Sequence, residues 1–464
     1  MVIPKRSLQG EWTGSFAFVF ALAGVSIGLG NVWRFPVLAA EHGGGAFLLV
    51  YGAFLVTLTL PLWLAEVGVG RSMRRTLPGG LARIAREQGS APAWSGVGWV
   101  AVTMAAVVLL GQLLIGGWAG AYLYRAVAAP VLHFDAVTTT AVFTELLADA
   151  ERLLLWFTLL LVAAGLTVSR GIGAGIQPMM RLLVPAMVVL LVALAWAVGR
   201  ELGLADAWST VFELRFDALG WTGVQMAGEH ALFSLAVALG VATAFGAALP
   251  DRFPTISTTG AALALDTLVG LVAAVLVFAL VSGQVMADGA LQAGPALVFH
   301  ALPDAMGSLA WSRQALVALY AVLLMAVFTT VVGLLEVVVS AVVEQGRLSR
   351  ARATATVATA LWLAGALVAG SLRGWLDAGE GGGPPLDDGV SMVWLTELVA
   401  WGAMPVVALA LLIFVGWRMP QETLRGALRL REDWRYTLWM PMLRYVAPLI
   451  LLALLARVAG LLPS

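Results

Sequence analysis

Eleven mostly apolar stretches, nearly all about as long as the ~20 residues a helix needs to cross a hydrocarbon core, dominate this chain. They run roughly over 12–38, 41–70, 94–126, 152–169, 177–199, 221–248, 256–286, 313–344, 350–371, 391–417 and 437–461. A soluble core of 464 residues would not need a composition that is 61% hydrophobic and 12% charged, with a mean hydropathy of +0.92. In lipid every backbone polar group must be satisfied internally, and stretches of this length do so as helices. The expected fold is therefore all-α integral membrane, with about eleven transmembrane helices.

The formal net charge is zero, and the charges fall in the connections, so charge says little about partners. No basic face remains for nucleic acid, and none is expected as a partner. Without cysteine there is no disulfide frame, thiolate metal site or cysteine nucleophile. No cleavable signal stands out: a short N-terminus with Lys5 and Arg6 runs directly into the first stretch. Arginines cluster after the second stretch (Arg71, Arg74, Arg75, Arg83, Arg86), after the eighth (Arg347, Arg350, Arg352) and after the tenth (Arg418, Arg425, Arg429, Arg431, Arg435). All fall on the side of Lys5 and Arg6, which places the N-terminus in the cytoplasm and the C-terminus outside. The odd-numbered connections, such as 127–151 and 287–312, are poor in base, and Gly379 to Asp388 reads as a flexible outer connector.

Within the first stretch lies Gly24-Val-Ser-Ile-Gly-Leu-Gly-Asn-Val-Trp-Arg-Phe-Pro36. Glycine is a poor helix former, and proline removes a donor and clashes with the preceding turn. The helix should loosen near Gly24–Gly30. Freed backbone groups at membrane depth are tolerated only when buried in protein or lining a polar cavity. Carbonyls would be open to a cation and amides to an anion. Glycines alone could equally mark a kink packed closely on a neighbour; Asn31 and Arg34 favour a site. The sixth stretch stands five spans on, and an odd repeat length gives two halves of opposite topology. Its Phe233-Ser-Leu-Ala-Val-Ala-Leu-Gly240 is rich in small residues but has fewer glycines, so its break is less marked.

Gly24-Val-Ser26-Ile-Gly28 also matches the nucleophile elbow of serine hydrolases, and His42-Gly-Gly-Gly45 an oxyanion loop. That elbow needs a preceding strand and a soluble sheet, and the HGGG segment should precede the serine. Here both requirements fail, and an enzyme is not expected.

Trp12, Gly24 through Pro36, His42-Gly-Gly-Gly-Ala-Phe47 and Pro61-Leu-Trp-Leu-Ala-Glu66 resemble the neurotransmitter:sodium symporter family, especially its bacterial amino-acid transporters. The similarity is strong over 12–71 and co-linear to about 417. It implies one transmembrane domain over 1–464, with inverted five-helix repeats over 12–199 and 221–417 and an extra helix over 437–461. Spans one and six would be broken at mid-membrane. Some bacterial members likewise have an eleventh span and no twelfth.

The resemblance further implies two sodium sites. One would use the carbonyls of Gly24, Ile27 and Ala326 with the hydroxyls of Thr329 and Thr330. Read alone, those threonines could instead bond back to a carbonyl one turn earlier. The other would use the Ser26 carbonyl, Asn31, Ser234 and Asp266, plus the substrate carboxylate. A carboxylate inside a span costs at least ~2.5 kcal/mol, so Asp266 should have a cation or a partner. Relatives that do without chloride place a glutamate one turn later; Gly270 stands there, and Asp266 can supply the charge itself, so no chloride is expected.

The substrate carboxylate would meet amides near Gly28, Leu29 and Gly30, aided by the positive end of the next half-helix. Where the family has a tyrosine hydroxyl, this chain has Gln112. The side-chain pocket would be Val25, Val108, Phe233, Ala236, Leu239 and Leu334, an apolar lining suited to a hydrophobic amino acid. Thr330 and Ser234 border both pocket and ions. Among gating residues, Glu66 would bond the unwound backbone and Phe233 would form an aromatic lid. Arg34 would serve the outer gate with Glu397, or with Asp387 or Asp388. Trp12 and Glu344 would serve the inner gate. The family's inner arginine and tyrosine align with Gln9 and Ala248, so Lys5 or Arg6 is the available substitute.

Sodium-coupled import of a hydrophobic amino acid by alternating access, in a bacterial inner membrane, is the leading expectation. The protein would work as a monomer or weak homodimer in the lipid bilayer. Two alternatives stay open: a proton-coupled transporter using Glu229 and His230, and an amino-acid sensor that does not transport.

Overall fold

The computed structural model describes residues 10–129, 136–288, 294–346, 348–377, 399–430, 434–458 and 461. Eight continuous helices are long and apolar enough to cross a membrane: Gly45–Met73, Trp94–Ala128, Ala150–Ser169, Ile172–Leu202, Thr255–Val281, Ser312–Glu344, Arg350–Gly370 and Tyr436–Arg457. They coincide with eight of the expected spans. The other three are broken or bent. The first runs as Ser15–Ser26 and Gly30–Glu41, with 59° between its halves. The sixth runs as Phe216–Ser234 and Val241–Ala247, with residues 235–240 outside any helix. The tenth, Met404–Arg418, turns by 109° into a short helix, Gln421–Leu428. Residues 391–398 of that span and the connector 379–388 lie outside the described residues. Among the described residues there is no β-strand, only an isolated bridge between Gly44 and Leu214.

The eighth span, Ser312–Glu344, is the central post. In its most apolar window 83% of residues are buried, against 28% for Ile172–Leu202. It packs along the third span, while the fourth and ninth pair beside it. The fifth presents Leu182, Val189 and Trp196 outward, as a helix facing lipid should. Among the described residues, four connections carry helices of their own: Leu77–Glu87, Ala136–Ala148, Ala205–Phe212 and Leu302–Gly307.

The glycine run after the first span is a turn. Gly43 and Gly44 have φ of 90° and 58°, and a Cβ on Gly43 would stand 2.1 Å from the Arg215 carbonyl. The resulting bend lets Arg215 N–H donate to the Gly43 carbonyl and Gly45 N–H to that of Glu213, at 3.2 and 2.9 Å. It ties the first connection to the entrance of the sixth span.

At the opposite end, Arg71 and Arg74 bind the loop between the sixth and seventh spans. Arg71 donates to the carbonyls of Pro250 and Phe253 and to the Thr255 hydroxyl. Arg74 donates to the carbonyls of Ala247 and Leu249 and pairs with Asp251 at 2.8 Å. These arginines satisfy carbonyls that the end of the sixth span leaves open. In the eighth span the fully buried Glu336 pairs with Arg350, whose Nε donates to the Val168 carbonyl at 2.8 Å.

Candidate functional site

The first span loosens over a shorter stretch than its glycines suggest. The helix continues through Gly24 to Ser26, and only Ile27, Gly28 and Leu29 leave it. Gly24 is there for contact: a Cβ would stand 2.7 Å from Val184 and 3.1 Å from the sulfur of Met180, both on the fifth span. Asn31 caps the break, its Oδ1 accepting the Gly28 N–H at 3.3 Å. The Leu29 carbonyl then accepts from Val32 and Trp33 as the helix resumes.

The sixth span is broken more deeply than its sequence suggests. Ala236, Ala238 and Gly240 alternate into the left-handed region, with φ of 48°, 62° and 80°. For alanine this region is unfavourable, so surrounding structure must hold it. Glu66 of the second span does so: the Ala238 N–H donates to its Oε1 at 2.6 Å, and the Thr243 hydroxyl donates to its carbonyl.

The two breaks meet at Asp266 of the seventh span, which is fully buried. Asn31 Nδ2 donates to Asp266 Oδ1 at 3.1 Å and to its carbonyl at 3.3 Å, while Ser234 Oγ donates to Oδ2 at 3.2 Å. One carboxylate thus gathers the first and sixth spans. The Ser26 hydroxyl is spent on the Leu22 carbonyl at 2.9 Å, which leaves its backbone oxygen, at the mouth of the break, as its available ligand.

On the other side of the first span lies the eighth. Thr330 Oγ1 donates to the carbonyls of Val25 and Ala326, each at 3.1 Å, and Thr329 Oγ1 to those of Ala326 and Met325 at 2.9 and 3.1 Å. The bond back to a preceding carbonyl is therefore present. The contact from Thr330 to Val25 also joins the two spans. A Cβ on Gly24 would stand 3.4 Å from Thr329 Cβ, and one on Gly28 would stand 3.6 Å from Thr330 Oγ1. The Ala326 carbonyl accepts from both hydroxyls, and Gly24, Val25 and Gly28 of the first span lie against them; among the described residues no hydrogen bond joins Ile27 to either. Among the described residues no cluster of His, Cys, Asp and Glu could hold a metal; this constellation is built of carbonyls, hydroxyls, one amide and one acid.

Of the expected pocket residues, Val25, Val108, Ala236, Leu239 and Leu334 are buried and Phe233 is partly so. Gln112 reaches the interior with its Oε1 buried and unpartnered. Trp12 is fully buried, its Nε1 donating to the Phe245 carbonyl at 2.9 Å and its N–H to that of Ala248 at 3.1 Å. Glu344 faces residues that the sequence reading did not connect with it. It accepts from Arg75 at 2.9 Å, from the Thr76 N–H at 2.8 Å and from the Thr76 hydroxyl. Lys5, Arg6, Gln9, Asp387, Asp388 and Glu397 lie outside the described residues. Arg34 is half-buried and close enough to Glu229 and His230 to act on both electrostatically.

The sodium:neurotransmitter symporter model matches residues 9–146 and 145–460. The chain belongs to that family. An uncharacterized sodium-dependent transporter of Bacillus subtilis is 24% identical over 97% of this chain and 98% of its own. A human sodium- and chloride-dependent taurine transporter is 36% identical, over 26% of this chain and 18% of its own. Among solved structures, MhsT in complex with L-phenylalanine matches with a TM-score of 0.83 at 26% identity, covering 96% of this chain and 98% of its own. The protein is a sodium-dependent membrane transporter of the symporter family, with a small-molecule substrate. It is not an enzyme; Ser26 lies in a membrane span and bonds its own helix.

Proposed function

We propose that this symporter couples inward sodium movement to import of a hydrophobic amino acid across the plasma membrane, with its N-terminus cytoplasmic and its C-terminus external. The observation that carries the reading is the junction at Asp266, where Asn31 and Ser234, from the two broken spans, share one buried carboxylate. An acid at that depth needs a cation, and the Ser26 carbonyl and Asn31 Oδ1 supply further oxygens. A second ion takes the carbonyls of Gly24, Ile27 and Ala326 with Thr329 and Thr330. Asp266 provides the negative charge beside the first ion, so chloride is not required.

The substrate carboxylate sits on the amides of Leu29 and Gly30, with Gln112 donating from the third span; the Gly28 N–H is already given to Asn31. Its side chain lies against Val25, Val108, Phe233, Ala236, Leu239 and Leu334. The apolar lining supports this choice, as does phenylalanine bound to the related MhsT. The first and sixth spans rock against the third and eighth as ions and substrate cross. Glu344 with Arg75 and Thr76 closes the inner end, beside Trp12. Each inward cation gains ~2.3 kcal/mol per 100 mV of membrane potential. Uptake of the twenty amino acids into proteoliposomes, with and without an inward sodium gradient, tests the reading.

Proton coupling is the second reading, favoured by two adjacent buried atoms without partners, Glu229 Oε2 and His230 Nδ1. Uptake that follows a proton gradient and ignores sodium would establish it.

A further inference from the structure

We infer that the cavity where the third span ends and the fourth begins holds one phospholipid, a phosphatidylethanolamine, whose headgroup carries a phosphate and a primary ammonium. The cavity measures about 650 Å³, a size typical of small-molecule sites. Its shape follows from the third span, which aligns Gly117, Gly120, Ala121, Tyr124 and Ala128 on one face. A Cβ on Gly120 would stand 2.9 Å from the Trp156 ring, so the third and fourth spans close there. Beyond that contact Ala121 and Ala128 are too small to fill the gap, and the Tyr124 ring lies 5.9 Å from that of Trp156. Helix Ala136–Ala148 adds a third wall with Val142, Glu145 and Leu146.

The lining is sorted by depth as a lipid is. Arg125 lies in the last turn of the third span and Arg152 in the first turn of the fourth, where a span meets the headgroups. Leu155, Trp156 and Leu159 lie one to two turns deeper, and Leu155 and Leu159 are 55% and 52% exposed, so the cavity opens toward hydrocarbon. At the rim Asp149 is already committed. Its Oδ1 accepts the Arg152 N–H at 2.9 Å as the helix cap, and its Oδ2 stands 3.4 Å from Arg152 Nε. Glu145 stands 3.7 Å from Arg152 Nη1, too far for a hydrogen bond, which leaves its oxygens open to a new donor. Arg125 is exposed and has no ion pair among the described residues. A phosphate fits the planar fork of Arg125, and an ammonium fits Glu145. Arg125 and Arg152 against Glu145 and Asp149 leave the rim without net charge, which favours a zwitterionic headgroup over an anionic one.

Native mass spectrometry of the purified full chain, in detergent with one lipid class added at a time, reads the site. The parent should retain one phosphatidylethanolamine at a concentration about fivefold or more below that needed for phosphatidylcholine, whose ammonium has no N–H donor, or phosphatidylglycerol, which has no ammonium. Arg125→Gln should weaken that retention about tenfold, the loss of a hydrogen bond between charged groups. Glu145→Ala should erase the preference over phosphatidylcholine. Ala128→Trp, at an exposed position, fills the cavity and should remove the bound lipid without changing either charge. Equal retention of the three lipids by the parent, or parental retention in Ala128→Trp, would overturn the inference and leave an annular lipid only. Parental retention in Arg125→Gln, or an undiminished preference in Glu145→Ala, would overturn the placement of the headgroup. Glycerophosphoethanolamine, the headgroup without chains, should not displace the lipid; displacement would assign the cavity to a soluble ligand. Lipid retention needs no uptake, so a failure of sodium-driven import would count against the transport reading and leave this comparison intact.

Discussion

Ala238 holds a left-handed backbone conformation, φ 62°, and donates its N–H to Glu66 Oε1 at 2.6 Å. The bond reaches from the second span into the middle of the broken sixth and supplies a partner that the lost helix no longer offers. Glu66→Ala leaves that buried N–H unpaired and should cost about 1–3 kcal/mol of stability. Glu66→Gln keeps an acceptor at the same reach and should stay close to the parent. Thermal unfolding in detergent compares the two; equal losses would mean that the side chain acts only by filling space.

Asp266 is tested by removing its charge and keeping its shape. Asp266→Asn should raise the sodium concentration needed for half-maximal uptake by about tenfold or more, since an ion in a low-dielectric site loses its counter-charge. Uptake by the variant should also become stimulated by chloride, which can restore a negative charge. Uptake assays with chloride exchanged for gluconate read both effects. Unchanged sodium dependence would remove Asp266 from the ion site.

Glu344 and Gly79 form a second testable pair. A Cβ on Gly79 would stand 1.9 Å from Glu344 Oε1, so Gly79→Ala should push the carboxylate off Arg75 and Thr76 without changing any charge. Both Gly79→Ala and Glu344→Gln should make a thiol at Ala248→Cys, buried in the parent, react several-fold faster with reagent applied from the N-terminal side. If neither substitution changes that rate, the contact does not hold the inner end shut.

Gln112 stands where a carboxylate-binding hydroxyl is expected. Gln112→Tyr should keep or improve amino-acid affinity, and Gln112→Leu should weaken it by about tenfold, the loss of one hydrogen bond to a charged group. Equilibrium binding of the substrate identified by uptake measures both. Complete loss in Gln112→Tyr would argue that the position does not face the carboxylate.

The first break was legible because Gly28 and its neighbouring glycines mark it, yet its limits were not. Gly24 stays helical, and its lack of a Cβ makes room for Val184 and Met180, a contact from the fifth span with no local signature. The depth of the sixth break was hidden for the same reason. Ala236 and Ala238 are ordinary helix formers, and the left-handed conformation of Ala238 is sustained by Glu66 from 172 residues away.

Intramembrane acids were the most readable feature, since their cost in lipid demands a partner. Asp266 stands out on that ground, and Glu336, which pairs with Arg350, is legible by the same rule. Arg71, Arg74 and Arg75 read only as topology markers. Their contacts with the loop at Pro250 and with Glu344 depend on how distant helix ends meet. His42 to Gly45 matched a hydrolase motif, and the structure uses those glycines for a turn against Arg215.

The central claim is sodium coupling through the junction of the two breaks. The most direct measurement is uptake of the twenty amino acids into proteoliposomes, with an inward sodium gradient and with sodium equal on both sides. The account predicts accumulation of one or more hydrophobic amino acids only under the gradient, lost in Asp266→Ala while the purified variant remains folded. Accumulation that is indifferent to sodium, or that survives in Asp266→Ala with its sodium dependence unchanged, would contradict it.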